Sequence, residues 1–136
     1  MRAVLDPNVV ISAALSPSGA PAQVLLAWRE GRFEVIVSPQ LVEELARALA
    51  YPKLRKRIRE EDARALASLI ARGSVLRQDL DDPPRISSDP GDDYLVALAK
   101  GTEAVLVSGD RDLLGLAPEL PVFTPRKFLQ WLDRQR

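Results

Sequence analysis

Three short runs of β-branched and aliphatic residues constrain this chain more than any other feature: 3–5 (Ala-Val-Leu), 33–37 (Phe-Glu-Val-Ile-Val) and 104–107 (Ala-Val-Leu-Val). Such runs are too short for helices. Their near-continuous apolar character, with only weak alternation at 33–37, is that of strands covered on both faces. Between them the apolar residues recur at helical spacing, which predicts helices over 8–15 and over 22–30, the latter stopped by Gly31. A third helix is expected over 40–50, with Ser38 as N-cap and Pro39 at its first position, broken by Tyr51-Pro52. Further amphipathic helices are expected over 53–58 and 60–72, then a strand over 74–77, an acidic, proline-rich loop over 79–91 and a helix over 92–100. A weak strand near 122–123 and a terminal helix over 125–134 complete the series.

Strands buried on both sides and separated by helices predict a three-layer α/β/α fold around a central, mostly parallel sheet. The length of 136 residues, 46% of them hydrophobic, suits one core and is short for two, so a single domain over 1–136 is expected. In such sheets, sites form beyond the carboxyl ends of the strands, near the point where strand order reverses. Asp6 directly follows the first run and Asp110 closely follows the run at 104–107, so both are expected on that rim.

The chain contains no histidine and no cysteine. Disulfides, thiolate nucleophiles, imidazole bases and the usual zinc sites are thereby excluded, leaving carboxylate, hydroxyl and amine chemistry. With 19 basic and 19 acidic residues the formal charge is zero, so any nucleic-acid surface has to be local. The basic run 53–59 is one such candidate; a solvated helix face explains it equally well. No stretch approaches the roughly 20 apolar residues of a membrane span, and the N-terminus lacks the apolar core of a signal peptide. A cytoplasmic location with no membrane association is expected.

Helix geometry sorts the adjacent acidic pairs. At about 100° per residue the apolar arc of the 40–50 helix comprises Leu41, Val42, Leu45, Ala48 and Leu49, which puts Glu44 at its edge and Glu43 nearly opposite, free to pair with Arg47. By the same test Asp92 lines up with Leu95, Val96 and Ala99, and Asp93 points away from the core. Each acid has an ordinary explanation. Glu44 suits a helix rim, Asp92 an N-cap, Asp6 a turn with Asn8 as the cap, and Asp110 or Asp112 the cap of a short turn at Leu113-Leu114. All four of Asp6, Glu44, Asp92 and Asp110 on one rim form a costly assembly unless protonated or bridged by cations, and oxygen ligands alone favour Mg2+ or Mn2+.

These residues fall in four motifs that resemble those of PIN domains. Leu5-Asp6-Pro7-Asn8-Val9-Val10-Ile11-Ser12 resembles the opening Asp-Thr-Asn-hydrophobic motif. Ser38-Pro39-Gln40-Leu41-Val42-Glu43-Glu44-Leu45 resembles the second, with Glu44 in its acidic slot. Asp89-Pro90-Gly91-Asp92-Asp93-Tyr94-Leu95 is similar to the third, and Val105-Leu106-Val107-Ser108-Gly109-Asp110-Arg111-Asp112-Leu113-Leu114 to the fourth. The likeness spans essentially the whole chain and is strongest toward VapC-type toxin components of toxin–antitoxin systems. It departs at Pro7 and Ser108, each in place of threonine, so one hydroxyl is lost and one kept.

The resemblance implies a metal-dependent ribonuclease with Asp6, Asp92 and Asp110 as direct or water-mediated ligands of Mg2+ or Mn2+. Glu44 would complete the site or orient the attacking water. Asn8 and Ser108 would hold ligand rotamers, and Asp112 would be a lesser ligand or a cap. It further implies an RNA substrate, a cognate antitoxin laid over the acidic groove, and a homodimer. Amphipathic helix in excess of what the sheet needs, including the stripe Phe128-Leu129-Gln130-Trp131-Leu132, is expected to leave apolar surface for that partner. The alternatives are a flap-type DNA nuclease, for whose accessory arch the chain lacks room, and a catalytically silent PIN module, which Pro7 favours. A phosphoaspartyl phosphatase lacks its second aspartate in Asp6-Pro7-Asn8.

Overall fold

In a computed structural model describing residues 1–86, 89–117 and 119–135, the apolar runs become strands of one sheet. They are β1 (Arg2–Leu5), β2 (Glu34–Val37), β3 (Val75–Leu76), β4 (Val105–Val107) and β5 (Val122–Phe123). Their order is β3-β2-β1-β4-β5, and every pairing is parallel. The central β1 is buried from Ala3 to Leu5, as continuous apolar strands between two layers should be.

The helices are α1 (Pro7–Leu15), α2 (Ala20–Arg29), α3 (Pro39–Leu49), α4 (Glu60–Gly73), α5 (Asp93–Gly101), the short α6 (Arg111–Leu114) and α7 (Pro125–Arg134). From β1 the chain moves outward through β2 to β3, then returns past β1 to β4 and β5. Right-handed crossovers therefore put α1 to α4 on one face and α5 on the other. In accord with this, α1 packs on α2 and α3 while α5 packs on β1 and β4. The reversal of order falls between β1 and β4, where the site was expected.

Local signals explain the helix starts. Ser38 Oγ accepts from the Leu41 N–H at 3.2 Å with Pro39 at the first position of α3, and Thr124 Oγ1 accepts from Lys127 N–H at 3.2 Å ahead of Pro125. Gly31 ends the α2 region at φ 78°, a left-handed conformation suited to glycine.

Two expectations are corrected. The segment 53–58 is not an amphipathic α-helix but a 3-10 turn, Pro52–Lys56, because Pro52 opens it and Arg57 closes it within five residues. The C-terminal stripe is not left over either. Phe128 and Leu132 are fully buried, Phe128 meets Phe33 edge-on at 4.9 Å, and Trp131 stacks on Phe123 at 5.2 Å. Phe128 and Leu132 close α7 against β5 and α2, while Leu129 and Trp131 are half-buried beside them. Part of the acidic loop, residues 87 and 88, lies outside the described residues. Among those described, no single helix is long and apolar enough to cross a membrane.

Candidate active site

Parallel pairing of Leu5 with Val107 brings the residues that follow β1 and β4 side by side on the rim. The Asp6 N–H donates to the Val107 carbonyl at 3.0 Å, extending the ladder by one step. Ser108, wholly buried, then ties the two loops together: its hydroxyl donates to Asp6 Oδ2 at 2.8 Å and accepts from the Asp110 N–H at 3.0 Å. The other oxygen of Asp6, Oδ1, accepts from the Asn8 N–H at 3.0 Å and caps α1, so Asp6 rather than Asn8 is the cap. Asp110 Oδ1 likewise accepts from the Asp112 N–H at 2.8 Å and caps α6. The ordinary explanation thus holds for one oxygen of each. Asp110 Oδ2 accepts no hydrogen bond among the described residues.

On the β2 side, Glu44 lies at the half-buried edge of α3 and Glu43 faces solvent, 3.5 Å from Arg47. Glu44 Oε2 accepts a short hydrogen bond from the hydroxyl of Tyr94, a buried residue of α5. Burial, then the bond to Glu44, then the charges of Glu44, Asp6 and Asp79 push the phenol well above its ordinary range, so Tyr94 stays a donor. Sequence reasoning missed Tyr94. The available signal was a tyrosine in the apolar row of α5, since a buried hydroxyl needs a partner and a rim glutamate needs a donor.

Asp92 occupies the N-cap position of α5 yet makes no capping bond. Its carboxyl is pushed up to about 6, first by burial and then by the charges of Asp6, Asp89, Asp110 and Glu44. Asp93, expected in solvent, is buried and accepts from the Ile86 N–H at 3.1 Å. The wheel misplaced it because Asp92 closes a 3-10 turn, Pro90–Asp92, and lies ahead of the helix proper, while the preceding loop folds back over Asp93.

A model of the PIN domain matches residues 2–112. The chain belongs to the PIN domain family. PIN domains are in general nucleases. This one is 29% identical to the protein MJ1680 of Methanocaldococcus jannaschii, over 98% of the chain and 93% of that protein. Its fold is similar to that of PAE2754 from Pyrobaculum aerophilum, at a TM-score of 0.68 and 18% identity, covering 98% of this chain and 90% of that one. It is also similar to a chain of VapBC2 from Rickettsia felis bound to a DNA fragment from their promoter, at 0.62 and 12%, covering 90% and 97%.

Against the PIN motifs, the four acids divide by their partners. Asp6 and Asp110 are joined through Ser108, Glu44 is tied to Tyr94, and Asp92 feels the other three through space. Among the described residues no three carboxylates close into a set that would grip an ion directly. The donor chemistry nonetheless fits a hard divalent cation, because the charges of Asp6, Asp110 and Glu44 reach Asp92 and, among the described residues, no basic side chain pairs with any of the four. Asn8 serves through its backbone N–H, and its side chain is exposed. Asp112 is not the cap of α6; it contributes its N–H to Asp110, with its carboxylate exposed. Pro7 fits the first position of α1, and the hydroxyl it lacks leaves Asp6 held by Asn8 and Ser108.

An open cleft of about 510 Å³ borders Asp6 and Asp110 and runs past Asn8 and Ser12 toward Pro21 and Arg126. Glu44 and Asp92 do not line it.

The raised carboxyl of Asp92 sets a pH dependence. Its folded value, about 6, lies above the ordinary 3.8, so the folded state binds the proton more tightly between these values. Its stabilising contribution is full below 3.8 and is lost as pH rises through about 6. Asp92→Asn is expected to melt with wild type at pH 4 and above it at pH 7, by about 2 °C given the screening at a half-exposed site. Melting curves at the two pH values check this, and a gap that is the same at both rejects it.

Proposed function

We propose that this PIN domain, residues 1–136, is a Mg2+- or Mn2+-dependent endoribonuclease that hydrolyses RNA phosphodiester bonds as the toxin component of a toxin–antitoxin pair. The observation that carries the reading is the grouping of acids on one rim: Ser108 joins Asp6 to the start of the Asp110 loop, and with Asp89 and Glu44 these acids oppose a further negative charge at Asp92. A divalent cation relieves such a cluster; neutral packing does not require one. Asp6, Asp92 and Asp110 would hold the ion directly or through water, and Glu44 would complete the site or orient the attacking water. Bound there, the ion would supply a Lewis acid for the phosphoryl oxygen and a more acidic water, so that no histidine base is required.

The protein's own residues do the positioning. Ser108 fixes the rotamer of Asp6 and the start of the Asp110 loop in one contact, and Tyr94 fixes Glu44. The choice of RNA over DNA rests on the family likeness, because 2′-hydroxyl recognition is a matter of bound contacts. Incubating the purified protein with RNA and with DNA, with Mn2+ or with EDTA, tests the reading. RNA cleavage that requires Mn2+ is expected. Cleavage that survives EDTA, or cleavage of DNA alone, overturns it.

The likeness to VapBC2 supports an antitoxin partner, whose basic side chain would pair with these carboxylates in place of a metal. A homodimer belongs to the same reading and rests on the family, since the C-terminal stripe is used internally. Light scattering at micromolar concentration should give twice the 15.0 kDa monomer mass, and a monomeric value refutes the dimer.

A further inference from the structure

The rim carries charge in an order set by the sheet. Reading across β2, β1, β4 and β5, the residues following the strands include Glu44, Asp6, Asp110 and then Arg126 near the start of α7. The acids on the β2 side are closed in by Tyr94, whereas the β4–β5 side opens into the 510 Å³ cleft. Arg126 is the basic residue lining that cleft, and it has no ion pair among the described residues.

An exposed arginine at a helix start is usually just solvated. Here it shares a cleft with two carboxylates and pairs with neither. Asp6 is held by Ser108 and the Asn8 N–H, and Asp110 by the Asp112 N–H at one oxygen only; Arg126 makes no ion pair with either among the described residues and is available to an incoming anion. The same cleft is lined by neutral Asn8 and Ser12 and by apolar Val9 and Pro21. A basic side chain, carboxylates and apolar surface lining one open cleft suit a single polynucleotide strand, which carries one phosphate per nucleotide and flat base faces.

We propose that Arg126 anchors the substrate strand by binding the phosphate next to the scissile one, so that the strand enters from the β5 side. Which phosphate is scissile rests on the nuclease reading; the contact itself does not. A guanidinium suits this task, since its planar fork takes two phosphate oxygens at once.

Two measurements test the anchor. Binding of a labelled single-stranded RNA, and of DNA of the same sequence, is followed by anisotropy in Mg2+ across about 50–200 mM salt. An Asp6→Asn background is used to prevent cleavage, and steady-state cleavage is measured in the otherwise unsubstituted protein. Arg126→Ala is expected to weaken binding of both polymers about tenfold and to lower the log–log salt slope by about one. It should raise KM while leaving kcat within about twofold. Arg126→Lys should restore the slope, and Arg134→Ala, at the far end of α7, should change neither quantity.

An unchanged slope and KM in Arg126→Ala overturn the anchor and leave the nuclease reading standing. A loss confined to RNA overturns the phosphate assignment. Normal binding that depends on Arg126, with no cleavage under any metal, refutes the nuclease reading and keeps the anchor. No binding of either polymer refutes both.

Discussion

Replacing Asp6 with asparagine should lower RNA cleavage by about 10³-fold or more, with a melting temperature equal to or above that of the wild-type protein. The activity loss follows from the position of Asp6 beside Asp110 on the rim, as one of the charges felt at Asp92. Stability is spared because asparagine keeps the geometry. Its carbonyl oxygen can still accept from the Asn8 N–H, and its amide can donate to Ser108 Oγ, which has a second lone pair beyond the one used by Asp110. Removing one of several repelling charges offsets the hydroxyl proton that Ser108 can no longer place. Cleavage and a melting curve on the same preparation check both halves. Wild-type cleavage by Asp6→Asn would remove this residue from the active site.

The largest effect on stability should come from Phe128→Ala. Phe128 has no exposed surface and sits among Phe33, Phe123 and Trp131, where it joins α7 to the edge of the sheet. Truncating a buried phenylalanine costs about 3–5 kcal/mol once the cavity is counted, and in a domain of this size that lowers the melting temperature by roughly 10 °C or more. Chemical denaturation gives the number. A cost under about 1 kcal/mol would mean that α7 is weakly docked and that its apolar stripe is, after all, available to a partner.

The layered fold was legible because the information lay in local patterns. The apolar runs at 3–5, 33–37 and 104–107 could only be strands covered on both sides, and Ser38-Pro39 and Gly31 marked helix ends by backbone chemistry. The wheel argument separated Glu43 from Glu44 because α3 is a regular helix there. It failed on Asp93 because a 3-10 turn precedes α5 and a loop distant in pattern folds over it. The Tyr94–Glu44 bond joins residues 50 positions apart, and no periodicity reports which buried hydroxyl meets which rim acid. The fate of the C-terminal stripe was hidden for a similar reason. An amphipathic helix declares that it will bury a face, and only the packing of Phe33 and Phe123 says against what.

The position of β1 at the middle of the sheet bears on how the chain reaches this state. Its two neighbours are β2, about thirty residues later, and β4, about a hundred residues later. Until β4 docks, the backbone edge of β1 that will receive it keeps its N–H and C=O groups unpaired, and closing so long a loop is slow because its entropy is lost before the pairing rewards it. The Ser108–Asp6 contact spans 102 positions and depends on the same late event. A chain halted before residue 105 would therefore carry an exposed, adhesive strand edge and only part of the acid cluster, so aggregation, rather than partial activity, is the natural fate of an incomplete copy.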